Sequence, residues 1–439
     1  MSDPGNRVRT AGLHKRGLAA YAALALPLAM AALPVYVHAP KFYAGLGLSL
    51  TLMGSLLLAI RALDALSDPL LGLATDCLPR RLLMALSLPL IALGMVMLFN
   101  PPAATGLLAA WFAGALVLVY LGLSAASISY LAAGSALSRD YHERTRITAA
   151  RGMASLAGVL LAAALPEYLT ARLGAAIGLS WFSMVFVPVL ALAAVITLVW
   201  SPPPASRGRA QPRAGFASML RPLANARYRR LAAIFLLNGV AAAIPATLVL
   251  FYVADILQLS DLSGFFLAVY FLSGAVGMPL WVRLSAALGK TRAWCAAMGV
   301  SVAAFGWAFL LGAGDVFAFV AVCALSGLAF GADLALPASI LADVIDRDDP
   351  TGAARPDGAY FGLWHLLEKL ALAIAAGIAL PLLDVLGYQP GSAGGAPALA
   401  AIYALLPCAI KLAAAWLLWT SALEPERGAI PKFLNGEST

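Results

Sequence analysis

The sequence predicts an all-α polytopic membrane protein, with twelve transmembrane helices in two pseudo-symmetric six-helix bundles. Three observations carry that prediction. Of the 439 residues, 62% are hydrophobic and only 11% charged, roughly half the charge of a soluble protein, and the mean hydropathy is +0.88. Apolar runs of about twenty residues, long enough to cross a ~30 Å hydrocarbon core as helices, recur from end to end. One long polar connector, "SPPPASRGRAQPRAGFASMLRPLANARYRR" from Ser201 to Arg230, divides those runs into six and six.

In order, the spans fall at about 17–38, 49–75, 82–99, 107–136, 149–170, 175–200, 230–254, 262–282, 294–313, 316–341, 358–386 and 397–421. The domains that follow are a bundle at 1–200, a linker at 201–229, a second bundle at 230–422 and a tail at 423–439. Of the 29 Lys and Arg residues, 23 lie in the N-terminus, the even-numbered connectors and the tail, while only Lys41 and Arg172 lie in odd-numbered connectors. The remaining four, Arg61, Arg151, Lys369 and Lys411, lie in spans or at their edges. This asymmetry places both termini and the linker in the cytoplasm, and the membrane expected is a bacterial inner membrane. A basic face against anionic lipid accounts for the net charge of +8, so no nucleic-acid partner is required.

The two halves read as copies of one unit. A shift of 210 residues sets Gly54 on Gly264, Pro69 on Pro279, Leu70 on Leu280 and Arg80 on Lys290. The same shift sets Arg61 on Phe271, Asp64 on Gly274 and Asp68 on Met278. The repeat scaffold therefore does not need those three charges, and they belong to the first half alone. Their i, i+3, i+7 spacing puts them on one helical face. Two carboxylates one turn apart in a low-dielectric site repel each other unless one is protonated or a small cation lies between them. An inert pairing of Arg61 with Asp64 satisfies one acid and leaves the second unexplained. The spacing therefore points to a proton or cation site.

Other classes find little support. Four scattered histidines (His14, His38, His142, His365) form no nucleophile–base set. Cys77, Cys295, Cys323 and Cys408 suggest neither a disulfide framework nor a metal site. The expected ligands are a small-molecule substrate and a coupling ion, Na⁺ or H⁺, with membrane lipid around the helices, no cofactor and a monomeric chain.

"RALDALSDPLLG" resembles the second-helix motif, R-x-W-D-x-x-x-D-P-x-x-G, of the glycoside–pentoside–hexuronide:cation symporters, the melibiose-permease group of the major facilitator superfamily. "RDYHERTRITAARGMASLAG" resembles that group's passage into helix 5, and "RPDGAYFGLWHLLEKLALAIAAGIALPLLDVLGY" its helix 11. The resemblance implies a major facilitator fold. It also implies a cation held by Asp64 and Asp68 with Ser67 and Ser124 nearby, and a cavity reached by Arg151 and Lys369. Ser67 stands where sodium-coupled sugar members have asparagine, so Na⁺ and H⁺ both stay open. The acids that sugar carriers place on helices 1 and 4 are replaced by Leu28 and Ser127, with Leu131 where an aromatic platform is expected.

His365 shares a helical face with Lys369 and is expected to line the cavity, whereas Glu368, turned about 100° away, is expected to pair with another helix. Asp333 has two readings, a substrate contact or the partner of a basic group. Glu167 and Asp384 read as rim residues, and Trp111, Trp181, Trp200 and Trp281 as interfacial anchors. "DCLPRR", with Asp76, Arg80 and Arg81, resembles the superfamily's cytoplasmic loop motif and, with Arg61, suggests a gate. The function expected is secondary active, cation-coupled symport of a small organic solute, glycoside-like or anionic and amphiphilic, by alternating access. The alternatives are a lysolipid or amphiphile transporter of the same fold, or a non-transporting binding or assembly protein.

Overall fold

The computed structural model describes residues 15–77, 79–102, 105–135, 137, 141–201, 221–348, 357–391 and 395–421, and every regular element among them is helical. The membrane helices are α1 (Arg16–Tyr36), α2 (Leu50–Cys77), α3 (Arg80–Phe99), α4 (Leu108–Ser135), α5 (Tyr141–Leu173) and α6 (Ala175–Trp200). The second half supplies α7 (Ala226–Asp255), α8 (Ser263–Leu288), α9 (Lys290–Ala308), α10 (Val316–Asp348) and α11 (Asp357–Val385), then α12 (Ala396–Thr420).

Among the described residues, eleven helices contain stretches long and apolar enough to cross a membrane. The exception is α9, whose first residues are Lys290, Thr291 and Arg292. Its 19 residues still extend about 28 Å at 1.5 Å each. The repeat also holds in the helix boundaries: displaced by 210, α3 covers 290–309, beside α9 at Lys290–Ala308.

Proline sets the interruptions. Helix α1 breaks at Leu24, between Lys15–Ala23 and Ala25–Tyr36. Pro27 has no N–H to offer the Ala23 carbonyl four residues back, and its ring crowds that carbonyl. The same step ends α1 at Tyr36, four residues before Pro40, and a short helix, His38–Gly45, follows. In α12, residues Ala401–Leu405 form a π turn in the turn preceding Pro407, which leaves the Tyr403 carbonyl without its usual donor.

The helices gather into two compact units. One comprises Met1–Ala214 with Ser260–Ala268 and Ala376–Pro390, and the other Gly215–Leu259, Val269–Ala375 and Gly391–Thr439. An aromatic set fills the first: the Tyr43 ring lies 4.4 Å from Phe112 and Phe99 lies 6.1 Å from Phe182, centroid to centroid. Asn100 closes α3 by donating to the Val96 carbonyl, and its side-chain oxygen accepts from Ser180 of α6. The second unit is centred on Tyr228, Trp294, Tyr360 and Trp364, with Phe235 stacked on Trp364 at 3.7 Å. Trp281 is only 5% exposed there, and its indole N–H donates to the Leu328 carbonyl. It is therefore a core residue and not the interfacial anchor that its sequence position suggested. Trp181 and Trp200 are well exposed, at 56% and 66%, as an anchor should be.

In the first unit α1 and α5 approach so closely at Gly158 that any Cβ would strike the Leu26 carbonyl. Backbone can yield there only if the helices part. Gly158→Ala is expected to lower thermal stability in detergent by about 1–3 kcal/mol, the usual overpacking penalty. Gly114→Ala, where the added methyl meets open space, should leave the melting curve in place.

Candidate functional site

Helix α2 turns its charged face toward α4. Leu63 and Leu66, on the opposite side, stay 59% and 70% exposed, whereas the Asp64 side chain is only 2% exposed. Ser124 of α4 donates to Asp64 Oδ1 at 2.6 Å. Asp64 Oδ2 faces Arg61 Nη1 at 3.8 Å, which is longer than a formed charge-assisted hydrogen bond of about 2.7–2.9 Å. The Arg61 guanidinium lies over the Tyr120 ring, 4.4 Å from its centroid, within the ~6 Å range of a cation–π contact. Its Nε has no hydrogen-bond partner among the described residues. Tyr36 of α1 stands near both Arg61 and Tyr120.

Ser67 donates to the Asp64 backbone carbonyl at 2.7 Å, so its oxygen lies on the same turn as the acid. Asp68, one turn beyond Asp64, is half-buried. Four oxygen-bearing side chains, two of them carboxylates, thus gather on adjacent turns of α2 and on α4. Oxygen donors with two negative charges suit a hard monovalent cation or a shared proton. Sequence reasoning brought Ser124 to Asp64 but overlooked Tyr120. The signal was present, because Tyr120 and Ser124 are i, i+4 and share a face of α4.

Elsewhere in the first unit, Arg151 of α5 lies near the Tyr21 hydroxyl. The Tyr21 and Tyr130 rings stack at 4.6 Å, and the Tyr130 hydroxyl donates to the Tyr21 carbonyl. This buried pair ties α1 to α4 and supports Arg151. Ser127 is half-buried on α4. Glu167 is not a rim residue: only 13% exposed, it pairs with buried His38 at 3.2 Å. Asp384 accepts from the Thr51 amide and hydroxyl at 3.1 and 2.6 Å, so its carboxylate caps the positive N-terminus of α2. Arg81 is exposed and donates to the Ser201 carbonyl at 2.9 Å, just beyond the last turn of α6. Asp76 and Arg80 fall on α2 and α3, but their side chains lie outside the described part of the structure.

In the second unit Tyr360, Trp364, Ala371 and Ala375 form the buried face of α11. The neighbouring face carries His365 and Glu368, 58% and 49% exposed, paired at 2.9 Å, with half-buried Lys369 beside them. Glu368 therefore pairs within its own helix instead of with another, because i, i+3 spacing brings the two side chains together. Three ionisable groups so close together on α11 are unfavourable against lipid.

Asp333 meets a basic group, as one of its two readings expects. Lys411 of α12 approaches Asp333 Oδ2 at 3.1 Å, and the Trp294 indole of α9 donates to Oδ1 at 2.7 Å. Both charged side chains are under a tenth exposed, so the pair is enclosed by helices of its own unit. A second ion pair, Lys290 with Asp343 at 2.6 Å, lies partly exposed on α9 and α10. Among the described residues, no three His, Cys, Asp or Glu side chains assemble as metal ligands.

Residues 18–424 match the family model described as MFS/sugar transport protein. Among solved structures, the chain is similar to a bacterial homolog of the human lysosomal transporter Spinster, inward-facing and unoccupied. The TM-score is 0.66 at 16% identity, covering 92% of this chain and 94% of that one. It is also similar to the nucleoside transporter NupG, with TM-score 0.69 at 13% identity, covering 93% of this chain and 100% of that one. At such identities the likeness is one of fold. The chain belongs to the MFS/sugar transport protein family, and is a membrane transporter of the major facilitator superfamily, not an enzyme.

Proposed function

We propose that this transporter is a cation-coupled symporter of the melibiose-permease group, with Asp64 and Asp68 binding Na⁺ or H⁺. The observation that supports this most is the Asp64 carboxylate itself. It is almost fully buried, bonded to Ser124, and one turn from a second acid. Such a pair is costly in a membrane unless a cation or proton completes it. Cation and solute then act on one conformational equilibrium, because each binds one state better than the other, and alternating access follows. In this reading the protein is a monomer of the bacterial inner membrane, and the Lys and Arg distribution favours cytoplasmic termini. Arg81, at the α2–α3 turn, and its neighbours Asp76 and Arg80 serve the cytoplasmic gate.

The solute carries an anionic group together with apolar surface. Arg151 and Lys369 are the basic groups for it, and Leu28 and Ser127 stand where sugar carriers need acids. An acidic glycoconjugate, an amphiphilic metabolite or a lysolipid has that character. A thermal-shift screen of such solutes on the purified protein, with and without Na⁺, identifies the ligand. Uptake into proteoliposomes under an imposed Na⁺ or pH gradient then tests coupling. Accumulation above the external concentration is the expected result, and equilibration at the external level under both gradients would show facilitated diffusion instead.

Lys369→Ala is expected to weaken binding of the anionic solute at least about tenfold, the loss of one charged hydrogen bond, while the Na⁺-induced thermal shift persists. Tight binding of a neutral disaccharide, indifferent to that substitution, would contradict the assignment.

A further inference from the structure

Arg61 occupies an unusual position for a buried guanidinium. Arginine in a low-dielectric site normally forms close, two-pronged hydrogen bonds to a carboxylate. Here the nearest approach to Asp64 Oδ2 is 3.8 Å, the side chain is 17% exposed, and Nε makes no hydrogen bond among the described residues. The group is instead shared between two attractions, the carboxylate on one side and the face of Tyr120, 4.4 Å away, on the other. Neither contact fixes it. A long, flexible side chain held by two weak contacts can move between them by rotamer changes alone.

Building on the cation-site reading above, we propose that Arg61 is a tethered counter-ion that competes with the coupling cation for Asp64. When the cation leaves, the guanidinium closes onto Oδ2 and offsets the repulsion between Asp64 and Asp68. When the cation arrives, Arg61 withdraws onto the Tyr120 ring, where the π face takes its charge. Tyr120 is the parking place that makes withdrawal inexpensive, and Tyr36 beside it shields the displaced charge from lipid. The device keeps cation affinity low enough for release, since every binding event must displace an internal rival. It also explains why an arginine shares the helical face with the two acids while the repeat-related Phe271 carries no charge.

The arrangement predicts shifts of opposite sign from two neighbouring substitutions. Arg61→Gln removes the rival and should tighten Na⁺ binding about tenfold or more, as expected for deleting a like charge at this distance. Tyr120→Leu changes no charge but removes the parking place, so Arg61 stays on Asp64 and Na⁺ binding should weaken several-fold. Tyr120→Phe keeps the ring face and should retain the wild-type constant. A purely structural role for either residue would move stability without producing this pattern.

The experiment is calorimetric titration of the purified full-length protein with NaCl, at one pH and constant ionic strength maintained with choline chloride. Folding of each variant is verified by gel filtration. If Arg61→Gln does not fold, the contrast between Tyr120→Leu and Tyr120→Phe decides alone. Tightening by Arg61→Gln with weakening by Tyr120→Leu supports the proposal. Wild-type Na⁺ binding that Arg61→Gln weakens or leaves unchanged, or that Tyr120→Leu leaves unchanged, overturns it and leaves the cation site standing. Absence of Na⁺ binding in the wild-type protein also overturns it, and the coupling reading then rests on proton-driven uptake.

Discussion

Lys411→Met is expected to lower the stability of the purified protein by about 3–5 kcal/mol, the cost of leaving a buried charge without its partner. Asp333 would then keep, among the described residues, the Trp294 indole as its partner, in a site under a tenth exposed. Methionine nearly matches the length of the lysine stem, so the loss comes from charge and not from an empty volume. Adding Asp333→Asn should recover most of the stability. The amide oxygen still accepts from Trp294, and no charge remains to be compensated. The pair therefore costs little to replace and much to break. Thermal unfolding in detergent checks both variants. A double variant no more stable than Lys411→Met would show that the charges themselves contribute beyond mutual neutralisation.

That pair also shows where sequence reasoning stops. Helix positions were legible because a membrane span is read from length and apolarity, and the acid pair on α2 because its spacing is local. Asp64 was joined to Ser124 through a family resemblance that covers both helices, and the structure places them at 2.6 Å. Asp333 and Lys411 are 78 residues apart, on helices apolar on several faces. Nothing local indicates which face of α10 meets which face of α12. Glu167 was misread for the same reason, since it lies near a span end and only packing shows that it is enclosed beside His38. Trp281 was misread because aromatic residues near a span end serve both interfaces and cores. Its hydrogen bond to the Leu328 carbonyl, made 47 residues away, settles the matter. The breaks in α1 and the π turn in α12 follow from prolines visible in the sequence, although their form depends on backbone that proline alone does not dictate.

The central claim is that Asp64 and Asp68 couple solute movement to a cation. Asparagine at both positions keeps side-chain shape and removes both charges, and Ser124 retains an amide oxygen to which it can donate. The variant should therefore fold and bind solute, yet its affinity for Na⁺ should fall by roughly a hundredfold or more, the scale of a close charge interaction at intermediate dielectric. Either acid alone, replaced by asparagine, should impair coupling through the same loss of charge. The most direct measurement is solute uptake by proteoliposomes under an inward Na⁺ or proton gradient, with wild-type protein and the Asp64→Asn, Asp68→Asn variant side by side. Accumulation by the wild type, against equilibration without accumulation by the folded variant, is the predicted result. Undiminished, gradient-driven accumulation by the doubly substituted protein would contradict the account.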